Sequence, residues 1–178
     1  MAKGYADTDK GMKDILAEME KFKSMCVKVG ITEDVAEKPH GDADGPTLLQ
    51  IATWNEYGTV DGRIPARPFI RGFADSKREE IANVLAGFMK LVTGGEKTAE
   101  EAIEELGRYG MEGVQKYMET GSFAPNSHVT IHGSKPDKKG NQFIKGKGSS
   151  RPLINEGTLQ GAIGYKVINE PVGAVGSI

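Results

Sequence analysis

Apolar residues recur at Met12, Ile15, Leu16, Met19 and Phe22, a helical spacing that predicts a first helix opened by Asp9. The period changes at Met25. In Met-Cys-Val-Lys-Val-Gly-Ile, residues Val27, Val29 and Ile31 alternate with Cys26, Lys28 and Gly30, which predicts a half-buried strand over 25–31. Residues 32–46 are polar and read as a loop. Thr47 to Tyr57 then carries Leu48, Leu49, Ile51, Ala52 and Trp54, a short helix closed by Gly58 as its left-handed terminal residue. Pro65 and Pro68 hold the following backbone extended, and Pro68 suits the first turn of a new helix. That helix is predicted from Pro68 to Val92, with Phe69, Ile70, Phe73, Ile81, Val84, Leu85, Phe88 and Val92 on one stripe, ending at Gly94-Gly95.

A second long helix is predicted from Lys97 to Thr120, its start favoured by Glu96, Glu100 and Glu101 at the positive end of the helix dipole. Ala99, Ile103, Leu106, Val114 and Tyr117 form its expected buried face. Gly107, Gly110 and Gly113 each cost up to ~1 kcal/mol in a helix, so they mark either a close backbone approach or a weak helix. Residues 121–150 break the pattern. They hold five lysines, one aspartate and several glycines, too long and polar for an ordinary connection. They read as a mobile arm. Pro152 to Thr158 then reads as a turn, and Leu159, Ile163, Tyr165 and Val167 lead into a strand, with an edge strand expected from Pro171 to Ile178.

The expected fold class is α+β, one domain over residues 1–178. A small mixed or antiparallel sheet, built from 25–31, 163–169 and the C-terminal edge, packs against two long helices. The glycine- and lysine-rich arm spans 121–150.

Composition narrows the function classes. The net charge of −2 argues against a dedicated nucleic-acid binder. Yet Phe123 to Arg151 is net +5, which leaves −7 on the rest and favours association between copies. No apolar run approaches the ~20 residues of a membrane span. The first ten residues have no apolar core of a secretory signal. Cys26 is alone and reads as a small core residue rather than a nucleophile.

Candidate chemistry fails on spacing. His40, Asp42 and Asp44 lack the offsets of a calcium loop. Gly146-Lys147-Gly148-Ser149 misses the phosphate-loop pattern, because Gly140 is one residue too far away and Gly148 occupies the Ser/Thr position. His128 and His132 have zinc-like helical spacing, but the β-branched run between them predicts a strand and a separation of roughly 13 Å. No G-x-S-x-G element occurs. The expectation is no enzyme, no cofactor and no metal.

Two elements carry a resemblance. Asn55-Glu56-Tyr57-Gly58-Thr59 followed by Ile64-Pro65-Ala66-Arg67-Pro68-Phe69 resembles the neck and tail-completion proteins of long-tailed bacteriophages. Arg151-Pro152-Leu153-Ile154 through Gly157-Thr158-Leu159 resembles a second element of that head–tail joining family, departing from it at Asn155-Glu156. The resemblance covers roughly residues 10–170 and implies a structural virion protein at the head–tail junction, assembled in the host cytoplasm. It implies a homo-oligomeric ring of roughly six or twelve subunits. Its partners would be connector or portal-side proteins and tail tube or terminator proteins, with genome DNA passing through unbound.

The expected interface comprises Trp54, Glu56, Tyr57, Arg63, Arg67 and Phe69 at the corner, and Lys138, Lys139, Lys145, Lys147 and Arg151 in the arm. Arg67 is expected to project toward a neighbouring subunit, with an intrachain pair to Glu56 as the alternative. The competing function is a DNA-contacting module that grips phosphates through residues 134–151, using Lys135 as well.

Overall fold

The computed structural model describes residues 11–40, 44–135, 144–154 and 157–169. The fold is α+β. In chain order come α1 (Met12–Ser24), β1 (Met25–Ile31), α2 (Glu33–Ala36), α3 (Leu48–Tyr57), α4 (Phe69–Ser76), α5 (Arg78–Thr93) and α6 (Ala99–Thr120). There follow α7 (His128–His132), β2 (Gly133–Ser134), β3 (Ile144–Lys145), α8 (Thr158–Gly161) and β4 (Ile163–Asn169). Strands β1 and β4 are hydrogen-bonded neighbours, and β2 pairs antiparallel with β3, Gly133 opposite Lys145. The expected N-cap Asp9 and the C-terminal edge strand lie outside the described residues.

The chain divides into two compact units. The first draws on the described residues of Met1–Lys28, Arg78–Tyr109 and Lys166–Ile178. Its core gathers Phe22, Val92, Ala99, Ala102 and Ile103, with Met25, Val27, Phe88, Leu106 and Val167 packed against them. The first turn of α6 is capped twice. Thr98 and Glu101 exchange side-chain-to-backbone bonds in a capping box, and Glu18 of α1 accepts from the Ala99 N–H at 2.7 Å. That backbone bond, reinforced by Lys21, holds the Glu18 carboxyl below its usual pKa.

The second unit comprises Val29–Lys77 and Gly110–Tyr165. Phe69 and Phe73 of α4 and Val114 and Met118 of α6 are buried there, and Tyr117 bridges the Phe73 and Phe123 rings. Gln115 and Gln160 each donate to the other's backbone carbonyl, which ties α8 to α6.

The expected single helix from Pro68 to Val92 is two helices. Ser76 bonds the Phe73 carbonyl through its hydroxyl, and Lys77 leaves helical geometry at φ −114° before Arg78 starts α5. The unit boundary falls at the same place. An unbroken apolar stripe cannot reveal such a break, because both halves bury the same kind of residue. The loop expected over 32–46 also holds structure: helix α2 and an isolated antiparallel bridge between Pro39 and Thr47.

For the helical glycines, close approach is the reason at two of the three positions. A Cβ on Gly110 would meet Val29 Cγ2 at 2.9 Å, and one on Gly113 would overlap the Phe73 ring. Gly113→Ala is therefore expected to cost about 1–3 kcal/mol by overpacking. Gly87→Ala, in the exposed middle of α5 with open space around it, should instead stabilise by about 0.5–1 kcal/mol. Urea melts of the two variants check the opposed signs.

Candidate functional site

The corner between α3 and α4 begins with a well-specified helix. Thr47 and Gln50 form a capping box, and α3 runs to Gly58, whose N–H bonds the Trp54 carbonyl at 2.8 Å. Gly58 has φ 79° and ψ 176°, so its conformation is extended with positive φ rather than left-handed helical. Glycine is still required, since a Cβ would press on Ala66 N at 3.0 Å and Ile64 O at 3.1 Å. Thr59 and Asp61 then clasp the loop. Thr59 Oγ1 donates to Asp61, and the Arg63 and Ile64 N–H groups donate back to Asp61 and Thr59.

Pro68 is the N-cap of α4 rather than its first helical residue. Proline has no side-chain acceptor for the orphan N–H groups of a helix start. Glu56 supplies it: its buried carboxylate accepts from the Ile70 and Arg71 N–H groups at 3.0 Å each. The Arg71 side chain closes the ring, with Nε on Glu56 Oε1 and NH2 on the Glu56 carbonyl, while its guanidinium lies 4.4 Å over the Tyr57 ring. An acidic group at a helix N-terminus is also favoured by the dipole.

Arg67 corrects both expectations made for it. It neither projects nor pairs with Glu56. Only 7% exposed, it donates Nε to the Ala124 carbonyl at 2.8 Å and NH2 to the Pro125 carbonyl at 3.0 Å. Its other side-chain bonds go to Asn55 and Asn126 oxygens, and its own N–H donates to the Asn55 carbonyl. Burial alone pushes its pKa down. Asn126 extends the network by donating to the Arg151 carbonyl at 3.0 Å. One side chain thus ties the corner to the segment following α6.

That segment was expected as an arm; its described part is structured. Ser127 caps α7 by accepting from the Thr130 N–H, and β2 and β3 pair behind it. A Cβ on Gly146 would strike the backbone of Ile131 to Gly133, so the glycines of Gly-Lys-Gly-Ser serve a close chain crossing. His128 and His132 lie on helix α7 with ring centroids 4.5 Å apart, not on a strand. The Ser127 cap overrides the β-branched preference of the intervening residues. Among the described residues, no group of three His, Cys, Asp or Glu could hold a metal.

Of the expected interface residues, Trp54, Tyr57, Arg63, Lys145 and Arg151 are exposed, whereas Glu56, Arg67 and Phe69 are buried within the unit. Lys138 and Lys139 lie outside the described residues. Lys147, expected to be free for phosphates, is half-buried and donates Nζ to the Arg151 carbonyl at 2.6 Å and the Ile154 carbonyl at 3.2 Å. Leu49, Thr53, Trp54 and Tyr57 share the exposed arc of α3, and Val60 continues it. Behind the corner lies a cavity of about 490 Å³, whose lining includes Asn55, Arg67, Asn126 and Lys147. The roles of Glu56 and Arg67 had one sequence signal: a helix opening on proline needs an acceptor from elsewhere.

No helix among the described residues is long and apolar enough to cross a membrane. No protein-family model, curated protein or solved structure matches the chain.

Arg67→Met is expected to cost about 2–4 kcal/mol, since it leaves the Ala124 and Pro125 carbonyls without their donor, and Arg67→Glu to cost more. Arg63→Glu, at an exposed side chain paired only with Asp61, should stay within about 0.5 kcal/mol. Denaturant melts of the three variants test this ranking.

Proposed function

We propose that this protein is a structural subunit of a tailed-phage virion, a neck or tail-completion protein that assembles into a homo-oligomeric ring at the head–tail junction. The observation that carries the reading is the exposed face of α3. Leu49, Trp54, Tyr57 and Val60 present large apolar groups to solvent, with Tyr57 64% exposed. Rimmed by Arg63 and Arg71, they have the aromatic and arginine character of interface anchors. The face is also rigid. Glu56 fixes α4 behind it and Arg67 fixes the loop, so docking orders little that is not already ordered.

The resemblance of Asn55–Thr59 and Ile64–Phe69 to the head–tail joining family supports the same assignment. The corner motif encodes a stiff scaffold for an apolar contact, and its buried members serve the partner only through the surface they hold in place. Structural chemistry of this kind asks for no cofactor.

Tyr57→Glu combined with Leu49→Glu should leave the melting profile close to wild type, because both side chains are already in water. It should abolish ring formation and joining to tail tubes, as read by sedimentation velocity and electron microscopy. A wild-type chain that remains monomeric at tens of micromolar, with or without tail tubes, overturns the reading. So does a doubly substituted chain that still assembles.

A further inference from the structure

The cavity behind the corner combines charge and apolar surface in an unusual ratio. Its volume, about 490 Å³, falls within the ~300–1,000 Å³ of small-molecule sites. Leu48, Ile51, Ile64, Leu153 and Leu159 supply its walls, and Arg67 and Lys147 supply charge; no Asp or Glu lines it. Neither cation forms an ion pair. Arg67 has five N–H donors and makes four side-chain bonds, all to neutral oxygens, leaving one NH1 hydrogen. Lys147 has three and makes two, both to carbonyls, leaving one Nζ hydrogen.

Two like charges in a partly buried space are costly without a counter-ion. Burial first, and then the neighbouring Arg67 charge, press the Lys147 ammonium toward a lower pKa. Leu153 on the cavity wall has φ 63°, the left-handed region that a branched side chain rarely enters. Strain of this kind gathers where a structure is held for binding.

We propose that this cavity binds an organic carboxylate, whose two oxygens accept the remaining hydrogens of Arg67 and Lys147 while its hydrocarbon part lies against Leu48, Ile51 and Leu153. A phosphate fits less well, because its further oxygens would face aliphatic walls without donors. The inference rests on the cavity and stands apart from the virion assignment. The carboxylate belongs either to a free small molecule or to a side chain of a neighbouring copy.

Sodium hexanoate is the probe, with hexanol and inorganic phosphate as comparisons, all added to the full chain. At ten times its Kd, hexanoate should raise Tm by about 3–6 °C, and hexanol and phosphate should do markedly less at the same concentration. Lys147→Met keeps the aliphatic stem and should weaken hexanoate binding at least ~10-fold by calorimetry. Lys145→Met, at an exposed lysine two residues away, should leave it unchanged. Equal shifts from hexanoate and hexanol, or from hexanoate and phosphate, overturn the proposal using wild-type protein alone, even where Lys147→Met fails to fold. Equal losses in the two lysine variants overturn it as well. Sedimentation with hexanoate identifies the source: dissociation of oligomers assigns the carboxylate to a neighbouring copy, and unchanged assembly to a free ligand.

Discussion

The buried guanidinium of Arg67 is the constraint on which the second unit turns. A charge only 7% exposed must recover in hydrogen bonds what it loses in hydration. It does so by collecting four oxygens from two distant segments: Asn55 on one side and Ala124, Pro125 and Asn126 on the other. A planar fork with fixed donor directions can satisfy such a set only in one arrangement. The position of the α3–α4 corner and the path of the chain after α6 are therefore fixed together. The cavity wall at Lys147 follows, because Asn126 carries the network on to Arg151, whose carbonyl also receives the Lys147 ammonium.

A second theme is the use of a distant glutamate to finish a helix. Glu56 caps α4, and Glu18, 81 residues away in sequence, caps α6. In both cases a helix start that its own neighbours leave incompletely bonded takes a carboxylate from another element. Local capping would have specified the helices alone. Capping at a distance also specifies where each helix packs, since the bond forms only once the partner element is in place. The exposed face of α3 gains its stiffness in this way: Glu56 is bonded on the inner side of the helix while Tyr57 carries the Arg71 guanidinium on the outer side.

The glycines divide along the same line. Gly58 and Gly146 are forced by backbone passing close behind them, and Gly113 by the Phe73 ring. Gly87 meets nothing within 4 Å. The spacing of Gly107, Gly110 and Gly113 raised the question of close approach, but only the position of Phe73 and Val29 answers it. A glycine in sequence is a permission. Its use depends on what arrives.

Hydrophobic periodicity determined the elements that bury one face by themselves: α1, β1, α3, α6 and β4 stand close to where the pattern puts them, and the α+β class follows from their mixture. It also located the corner, since Gly58, Pro65 and Pro68 act through their own φ angles and need no partner. Tertiary structure decided the rest. The break at Lys77 is invisible to an apolar stripe that continues on either side of it. The helix at His128–His132 turns on a single Ser127 hydroxyl against a β-branched run. Arg67, read from sequence as a surface contact, is buried because oxygens separated from it by nearly sixty residues converge on it. A charged side chain carries no mark of its destination. Whether it meets water, a partner or its own chain is settled by long-range packing that no local pattern contains.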